Sequence, residues 1–204
     1  MSLVARAALQ DPGLRQALEP HETPLSYATV AQALAGAVRD EPYGIAPPAP
    51  ERDTLVDVLM GSWMPRWARG DRIDRVLGRV SRWGPPTSSA ATLYRSLDGQ
   101  ATAGLVVTEH RLVIVVADSG LTPYDDPTRP GRTRLGTRYR VLWGAPRTAL
   151  AAARRRGSLV QRGRLELIFF DQSMCALTTG VLMAGGAKRT LVALGVPATP
   201  PPLP

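Results

Sequence analysis

Two apolar runs near the middle of the chain, Gly104–Thr108 and Arg111–Ala117, are separated only by Glu109-His110. Two strand-length runs joined by so short a link predict an antiparallel hairpin, because a parallel pair needs a long crossover. Three more strand-like runs and one helical stretch follow before Gly195. The segment therefore predicts a small, bent antiparallel sheet closed by a single C-terminal helix.

The hydrophobic pattern alternates with a period of two from Ala91 onwards, which is typical of strands. In the sixth run, Leu165, Leu167 and Phe169 point to one side, and we expect that side to be the interior. A long loop, Asp118–Arg138, is expected between the third and fourth strands. The predicted strands are Thr92–Leu97, Ala103–Thr108, Arg111–Ala117, Tyr139–Trp143, Arg147–Arg154, Arg164–Phe170 and Ser173–Thr179. The closing helix is predicted at Val181–Leu194, with Gly195 as its stop and a proline-rich tail over 196–204.

The first 83 residues are predicted to be a helical region. Asp11-Pro12 has the residue types of an N-cap and a first helical position. Apolar residues recur at helical spacing over Pro24–Arg39, and further helical patterns start near Asp53 and Asp71. The stretch 84–90, rich in Gly, Pro and Ser, is expected to be the linker to the second half. The predicted fold class is α+β.

Three features of residues 91–195 resemble a known family. The first is the strand-turn-strand block Leu105–Ile114, and the second is Leu165–Phe170 followed by the turn Asp171-Gln172-Ser173. The third is the lone helix after the seventh strand. Together they resemble a bacterial PH-like domain of the kind grouped with GRAM domains. The resemblance implies a seven-stranded, half-open barrel capped by the helix, and a module that binds lipid headgroups, peptides or partner domains.

The net charge of +8 lies entirely in the second half of the chain. Residues 1–90 hold ten arginines and ten acids, whereas Pro127–Leu165 holds eleven arginines and no acid. A field of one sign attracts acidic surfaces and polyanions. The candidate partner-binding residues form two clusters, Arg129, Arg132, Arg134 and Arg138 in the expected long loop, and Arg154, Arg155, Arg156, Arg162 and Arg164 in the next turn. Because three charges are consecutive at Arg154–Arg156, we expect the second cluster to contribute more to binding.

Signatures of catalysis, metal binding and cofactor binding are absent from the sequence. There is no Gly-x-Ser-x-Gly, His-Glu-x-x-His or Walker motif and no phosphate-cradling glycine loop. His21 and His110 are the only histidines, and Asp125-Asp126 is typical of a turn. The sole cysteine, Cys175, is expected to be a small buried residue and fits a reducing compartment. These observations predict a non-catalytic protein without metal or cofactor.

The sequence favours an adaptor that docks an acidic partner protein, within a larger assembly. The expected location is the cytoplasm, or the inner face of the membrane, since no apolar run is long enough to span a bilayer. Peripheral binding to anionic lipids is an alternative, although Thr92–Gly104 carries only Arg95 where the resemblance implies a cationic hairpin. Sequence-independent nucleic-acid binding is another, with few aromatic residues near the arginines.

Overall fold

The structure is a computed structural model, and it describes residues 3–33, 37–43, 80–101, 103–125, 129–156, 162–179 and 185–197. Within these ranges there are nine strands, four α-helices and one 3-10 turn. The strands are β1 Pro24–Gln32, β2 Ala37–Arg39, β3 Val80–Trp83, β4 Ala103–Thr108, β5 Arg111–Asp125, β6 Thr133–Pro146, β7 Leu150–Arg155, β8 Arg164–Phe169 and β9 Met174–Thr178. The helices are α1 Leu3–Leu9, α2 Pro12–Ala17, α3 Ser89–Ser96 and α4 Gly185–Leu194, and the 3-10 turn is Arg147–Ala149.

All nine strands belong to one mixed sheet with the order β2-β3-β9-β1-β4-β5-β6, and β8 lies between β9 and β7. The pair β2–β3 is parallel, and the other pairs are antiparallel. Strand β1 joins the two wings of the sheet, because its first part pairs with β4 and its end, Ala31-Gln32, pairs with β9. Among the described residues no pair connects β6 to β7, so the sheet does not close.

The main core lies between the two wings of the sheet. Leu105 and Ile114 from one wing meet Leu167, Phe169 and other apolar residues from the opposite wing. The outer face of the β4–β5 pair is also covered, because Leu14 of helix α2 and Leu18, which follows the helix, pack against the valines of that face. The runs that form β4 and β5 are therefore apolar at nearly every position, as expected for strands buried on both faces.

The prediction of a helical N-terminal region is wrong. Among its described residues only two short helices, α1 and α2, are found, and Pro24–Arg39, predicted as one helix, contains β1 and β2. In the structure only one face of β1 is buried, with Ala28 and Val30 in the main core, whereas Tyr27 on the other face is half-buried beside Leu14 and Leu25 is exposed. Pairing with β4 and β9 then decides the conformation over local pattern. The helices predicted near Asp53 and Asp71 lie outside the described residues, except that 80–83 form β3.

Two predictions in the second half are also wrong. Thr92–Leu97, predicted as the first strand, lies largely in helix α3, where Ser88 caps the helix by accepting a hydrogen bond from the Ala91 amide at 3.3 Å. The predicted loop Asp118–Arg138 is instead the outer part of a long hairpin made by β5 and β6. A helix capped by Ser88 and a mixed, open sheet of nine strands differ from the seven-stranded, half-open barrel that the resemblance implied.

Strands β4, β7, β8 and β9 lie within three residues of their predicted bounds, whereas β5 ends eight residues after Ala117 and β6 starts six residues before Tyr139. The described part of the last helix ends at Leu194, as predicted. Phe169 shares the main core with Leu165 and Leu167, as predicted. Helix α4 approaches the sheet closely at Gly186, where a Cβ would lie 2.9 Å from the Cβ of Thr179. Gly195 ends the helix with a φ of 62° and an amide that donates to the Leu191 carbonyl. None of the four described helices is long and apolar enough to cross a membrane.

Candidate functional site

The denser of the two predicted arginine clusters is partly internal. Arg154 and Glu166 lie directly opposite each other on β7 and β8, and the Arg154 Nε donates to the Glu166 carboxylate at 2.9 Å. Arg164, only 1% exposed, donates its Nε to the other carboxylate oxygen at 3.2 Å. One carboxylate thus engages two of the five cations of this cluster. Arg155, Arg156 and Arg162 remain exposed.

The same network extends to Tyr43 and to strand β3. Arg154 donates to the Tyr43 hydroxyl, and its guanidinium lies 5.7 Å from the centre of the Tyr43 ring. Arg164 donates to the carbonyl of Val80 at 2.5 Å. Burial lowers the pKa of Arg164, although Glu166 opposes the shift. These contacts join β3, β7 and β8, so Arg154 and Arg164 have a structural role in addition to any contact with a partner.

The other predicted cluster lies on the outer part of the β5–β6 hairpin. We call residues 118–125 and 129–140 the hairpin arm. Its five arginines are all exposed, and they are Arg129, Arg132, Arg134, Arg138 and Arg140. In the described part of the chain, Arg138 forms an ion pair with Asp118 at a distance of 4.0 Å, and both side chains are well exposed. A pair of this kind contributes little, so the arm keeps a positive surface.

Apolar side chains lie exposed on the same arm. Leu135 is 63% exposed and Leu121 is 67% exposed. Leu135 pairs with Pro123, and Leu121 pairs with Thr137, so these residues lie on one face of the hairpin. We call Leu121, Pro123 and Leu135 the arm apolar patch. The arginines of β6, Arg134, Arg138 and Arg140, alternate with Leu135 and therefore point to the other face of the strand. The arm as a whole combines exposed apolar residues with arginines, a composition that protein interfaces favour.

Helix α2 holds the base of the arm in place. The Asp11 carboxylate caps the helix at the Gly13 amide (2.9 Å) and also accepts the Thr137 amide of β6 (3.1 Å). Helix and strand are so close that a Cβ on Gly13 would lie 1.8 Å from the Thr137 carbonyl oxygen. Beside them, burial raises the pKa of Tyr139 to about 12. The arm therefore starts from a packed base, which limits the entropy lost on binding.

A second charged cluster ties the chain before β1 to the β4–β5 turn. Glu22, whose side chain is 1% exposed, accepts two hydrogen bonds from Arg111, at 2.6 and 2.7 Å, and one from Thr108 at 3.1 Å. Burial alone would raise the pKa of Glu22, but the bonds from Arg111, the Glu19 amide and Thr108 lower it on balance. Each partner is satisfied, so the cluster stabilises the turn and offers no free group to a ligand.

The histidines, the cysteine and Asp171, which could in principle act in catalysis or metal binding, do not form a reactive site in the described part of the chain. His110 is exposed, as predicted for a turn, and its ring lies 5.9 Å from that of His21. In the described part of the chain no group of three metal-ligating side chains comes together. Cys175 is fully buried, and burial raises the pKa of its thiol to about 12, so it is not a ready nucleophile. Asp171 accepts the Ser89 amide at 2.7 Å and the Ser173 amide at 3.1 Å, which is the turn role that the sequence predicts.

The sequence analysis missed Arg140 and the arm apolar patch. Once Asp118–Arg138 is taken as a loop, Leu121 and Leu135 carry no directional information. The available signal was the composition of Leu121–Tyr124 and Thr133–Val141, two strand-length stretches on either side of a proline- and glycine-containing turn. The aromatic residues near the arginines are not a stacking platform, since Trp143 packs edge-on against Phe169 and Tyr139 packs against the Leu14 cluster.

Comparison of the chain with protein families, with curated proteins and with solved structures finds no match. The resemblance of residues 91–195 to PH-like domains therefore stays a prediction. Any function has to be argued from the arm and from the other surfaces of this fold.

Proposed function

We propose that the protein is a non-catalytic binding protein that docks an acidic partner protein through the hairpin arm. The observation that carries this proposal is that one hairpin, packed at its base, exposes both five arginines and the arm apolar patch. Apolar contact supplies binding energy at the centre of such an interface, and arginines select an acidic partner and speed association. The proposed location is the cytoplasm.

The charge balance of the arm supports an acidic partner. Residues 129–140 contain five arginines and no acid, and the acids of the opposite strand include Asp118 and Asp125. Arginine is the cation best suited to this role, because its planar guanidinium binds carboxylates in a bidentate manner and tolerates desolvation better than lysine. A protein surface rich in aspartate and glutamate is thus the complement that this arm fits.

The other arginine cluster has less to offer a partner. Arg154 and Arg164 are already engaged with Glu166, so a ligand would have to compete with an internal pair. We therefore place the main contact on the arm, rather than on Arg154–Arg156 as the run of charges suggested. Arg155 and Arg156, which are exposed and adjacent, provide a matched pair of control positions.

The test compares two double variants of the full chain in affinity capture with quantitative mass spectrometry. In the arm variant Arg132 and Arg134 become Glu, and in the control variant Arg155 and Arg156 become Glu. We expect an acidic protein to be captured by the unaltered chain and by the control variant, and to be lost from the arm variant. Equal capture by both variants would contradict the proposal.

Two further arms of the experiment separate the alternatives of membrane and nucleic acid. The same proteins are sedimented with phosphatidylglycerol vesicles and titrated with single-stranded RNA at several salt concentrations. We expect neither ligand to distinguish the arm variant from the control variant. Vesicle or RNA binding that depends on Arg132 and Arg134, without an acidic protein partner, would replace the proposal with the corresponding alternative.

A further inference from the structure

A groove on another surface of the molecule lies between α1, the start of β1 and α4. Its volume is about 550 Å³, within the range of sites for small organic ligands. The apolar lining includes Leu9, Leu25 and Val192, of which Leu25 is 43% and Val192 83% exposed.

Two cations line the same groove. They are Lys188, the only lysine of the chain, and Arg189, both on α4. Lys188 and Val192 are four residues apart on the helix, so they lie on the same face, one turn from each other. The described lining contains no acidic residue. The groove thus combines a positive end with an apolar wall.

One donor of the Arg189 guanidinium is unpaired. Its Nε is buried and has no hydrogen-bond partner among the groups that the structure describes. Buried donors in native proteins are almost always paired, so an unpaired charged donor calls for an explanation. The Nε itself is covered by protein, so an anion in the groove would meet the other atoms of the Arg189 side chain that line it. A guanidinium group is well suited to binding a carboxylate.

We propose that this groove binds an anionic amphiphile, a molecule with one carboxylate head and an unbranched apolar chain. The carboxylate lies against Arg189 and Lys188, and the chain lies along Leu9, Leu25 and Val192. The apolar chain of such a ligand matches the apolar wall of the groove, and its single negative charge matches the two cations. This inference is independent of the hairpin arm, since none of the arm arginines lines the groove.

Isothermal titration calorimetry of the full chain with dodecanoate, below its micellar concentration, tests the proposal. We expect one dodecanoate per chain, and no binding of acetate, which lacks the chain, or of dodecyltrimethylammonium, which lacks the anionic head. Dodecyl phosphate, whose head is also an anion that arginine binds, separates the two possible sources of negative charge. Equal binding of the ammonium compound, or binding of the phosphate alone, would overturn the assignment.

Variants locate the site on the groove. Arg189→Gln should weaken dodecanoate binding about tenfold or more, since a hydrogen bond to a charged group is lost. Lys188→Gln, at an exposed position, should weaken it less, and Val192→Glu should abolish it through repulsion and loss of apolar contact. Arg132→Gln, which removes the same charge from the hairpin arm, is the matched control and should leave the affinity unchanged.

Two further results also test the proposal. If Arg189→Gln lowers the melting temperature, Val192→Glu at its exposed site still tests the groove in a folded protein. Affinity that is unchanged in both variants contradicts the proposal. Light scattering with and without dodecanoate tests the competing occupant, a second copy of the chain. A dimer that does not bind dodecanoate and is not dissociated by it would show that the groove is a dimer interface. That result would overturn the proposal.

Discussion

Asp11 and Thr137, 126 residues apart, are joined by hydrogen bonds of 3.1 and 3.2 Å from one backbone amide to the two oxygens of one carboxylate. The same carboxylate caps helix α2 at Gly13. One short side chain therefore fixes the start of a helix and covers a backbone group of β6, the strand at the end of the sheet order. The position of the hairpin arm depends on this link.

Replacing Asp11 with Ala should remove both bonds at once. Loss of a helix cap costs about 1 kcal/mol, and an amide left without its partner adds about 1–3 kcal/mol. We expect the free energy of unfolding in urea to fall by the sum of the two costs, about 2–4 kcal/mol. Asp118→Ala, at an exposed position of β5, is the control and should change it by less than about 0.5 kcal/mol. Equal effects would show that the Asp11–Thr137 link contributes nothing particular.

Replacing Gly13 with Ala tests the close approach of α2 to β6. In a free helix alanine is favoured over glycine by about 1 kcal/mol, but here the new Cβ would lie 1.8 Å from the Thr137 carbonyl oxygen. Backbone cannot move aside as a side chain can, so we expect clear destabilisation in denaturant melts. Gly185→Ala in α4, which meets only the flexible end of Arg189, should cause little or no loss. A stabilised Gly13→Ala variant would contradict the packing of α2 on β6.

Phe169 and Phe170 are adjacent in the chain, yet their surroundings are opposite. Phe169 is 2% exposed and packs in the main core, whereas Phe170 is 58% exposed. Phe169→Ala should lower the free energy of unfolding by about 3–5 kcal/mol, and Phe170→Ala should have an effect below about 0.5 kcal/mol. Chemical denaturation of both variants measures the difference. Similar losses at the two positions would mean that the inward face of β8 is wrongly assigned.

The stability of the protein should decrease in acid partly through Glu22. Its pKa in the folded protein is lowered, so the unfolded chain binds the proton more readily, and protonation favours unfolding. The stabilisation is complete at neutral pH and is lost as the pH falls below the ordinary range of a glutamate. Glu22→Gln should therefore be less stable than the unaltered protein at pH 7, with the gap narrowing as the pH falls. Glu109→Gln, at an exposed turn position, should show no such trend; a constant gap for Glu22→Gln would contradict the assignment.

The β4–β5 hairpin could be predicted because its evidence is local, two apolar runs and a two-residue link. Strand β1 could not, because its partners β4 and β9 are remote in sequence, and its pairing with them leaves no local signal. Helix α3 was missed because the change in hydrophobic period begins after Gln100 and not at Ala91. In each failure a long-range pairing or a cap outweighed the local pattern.

Both arginine clusters could be identified from the sequence. The sequence did not show which of their guanidinium groups are free to bind a partner. Arg154 faces Glu166 only in the observed register of β7 and β8, and a shift by one residue would separate them. Arg164 and Glu166 lie on the same face of β8, because side chains two residues apart in a strand point to the same side. Register depends on the packing of the whole sheet, so the pairing of these two arginines with Glu166 could not be predicted from the charges alone.

The most direct test of the proposed docking site is photo-crosslinking in cells from position 135. A photoreactive phenylalanine analogue replaces Leu135, and in a matched protein it replaces Phe170, the exposed aromatic residue at the β8–β9 turn. The account predicts a crosslink from position 135 to a protein with an acidic surface, lost when Arg132 and Arg134 become Glu, and none to that protein from position 170. Crosslinks from both positions to the same proteins, or a crosslink from position 135 that survives the two substitutions, would contradict it.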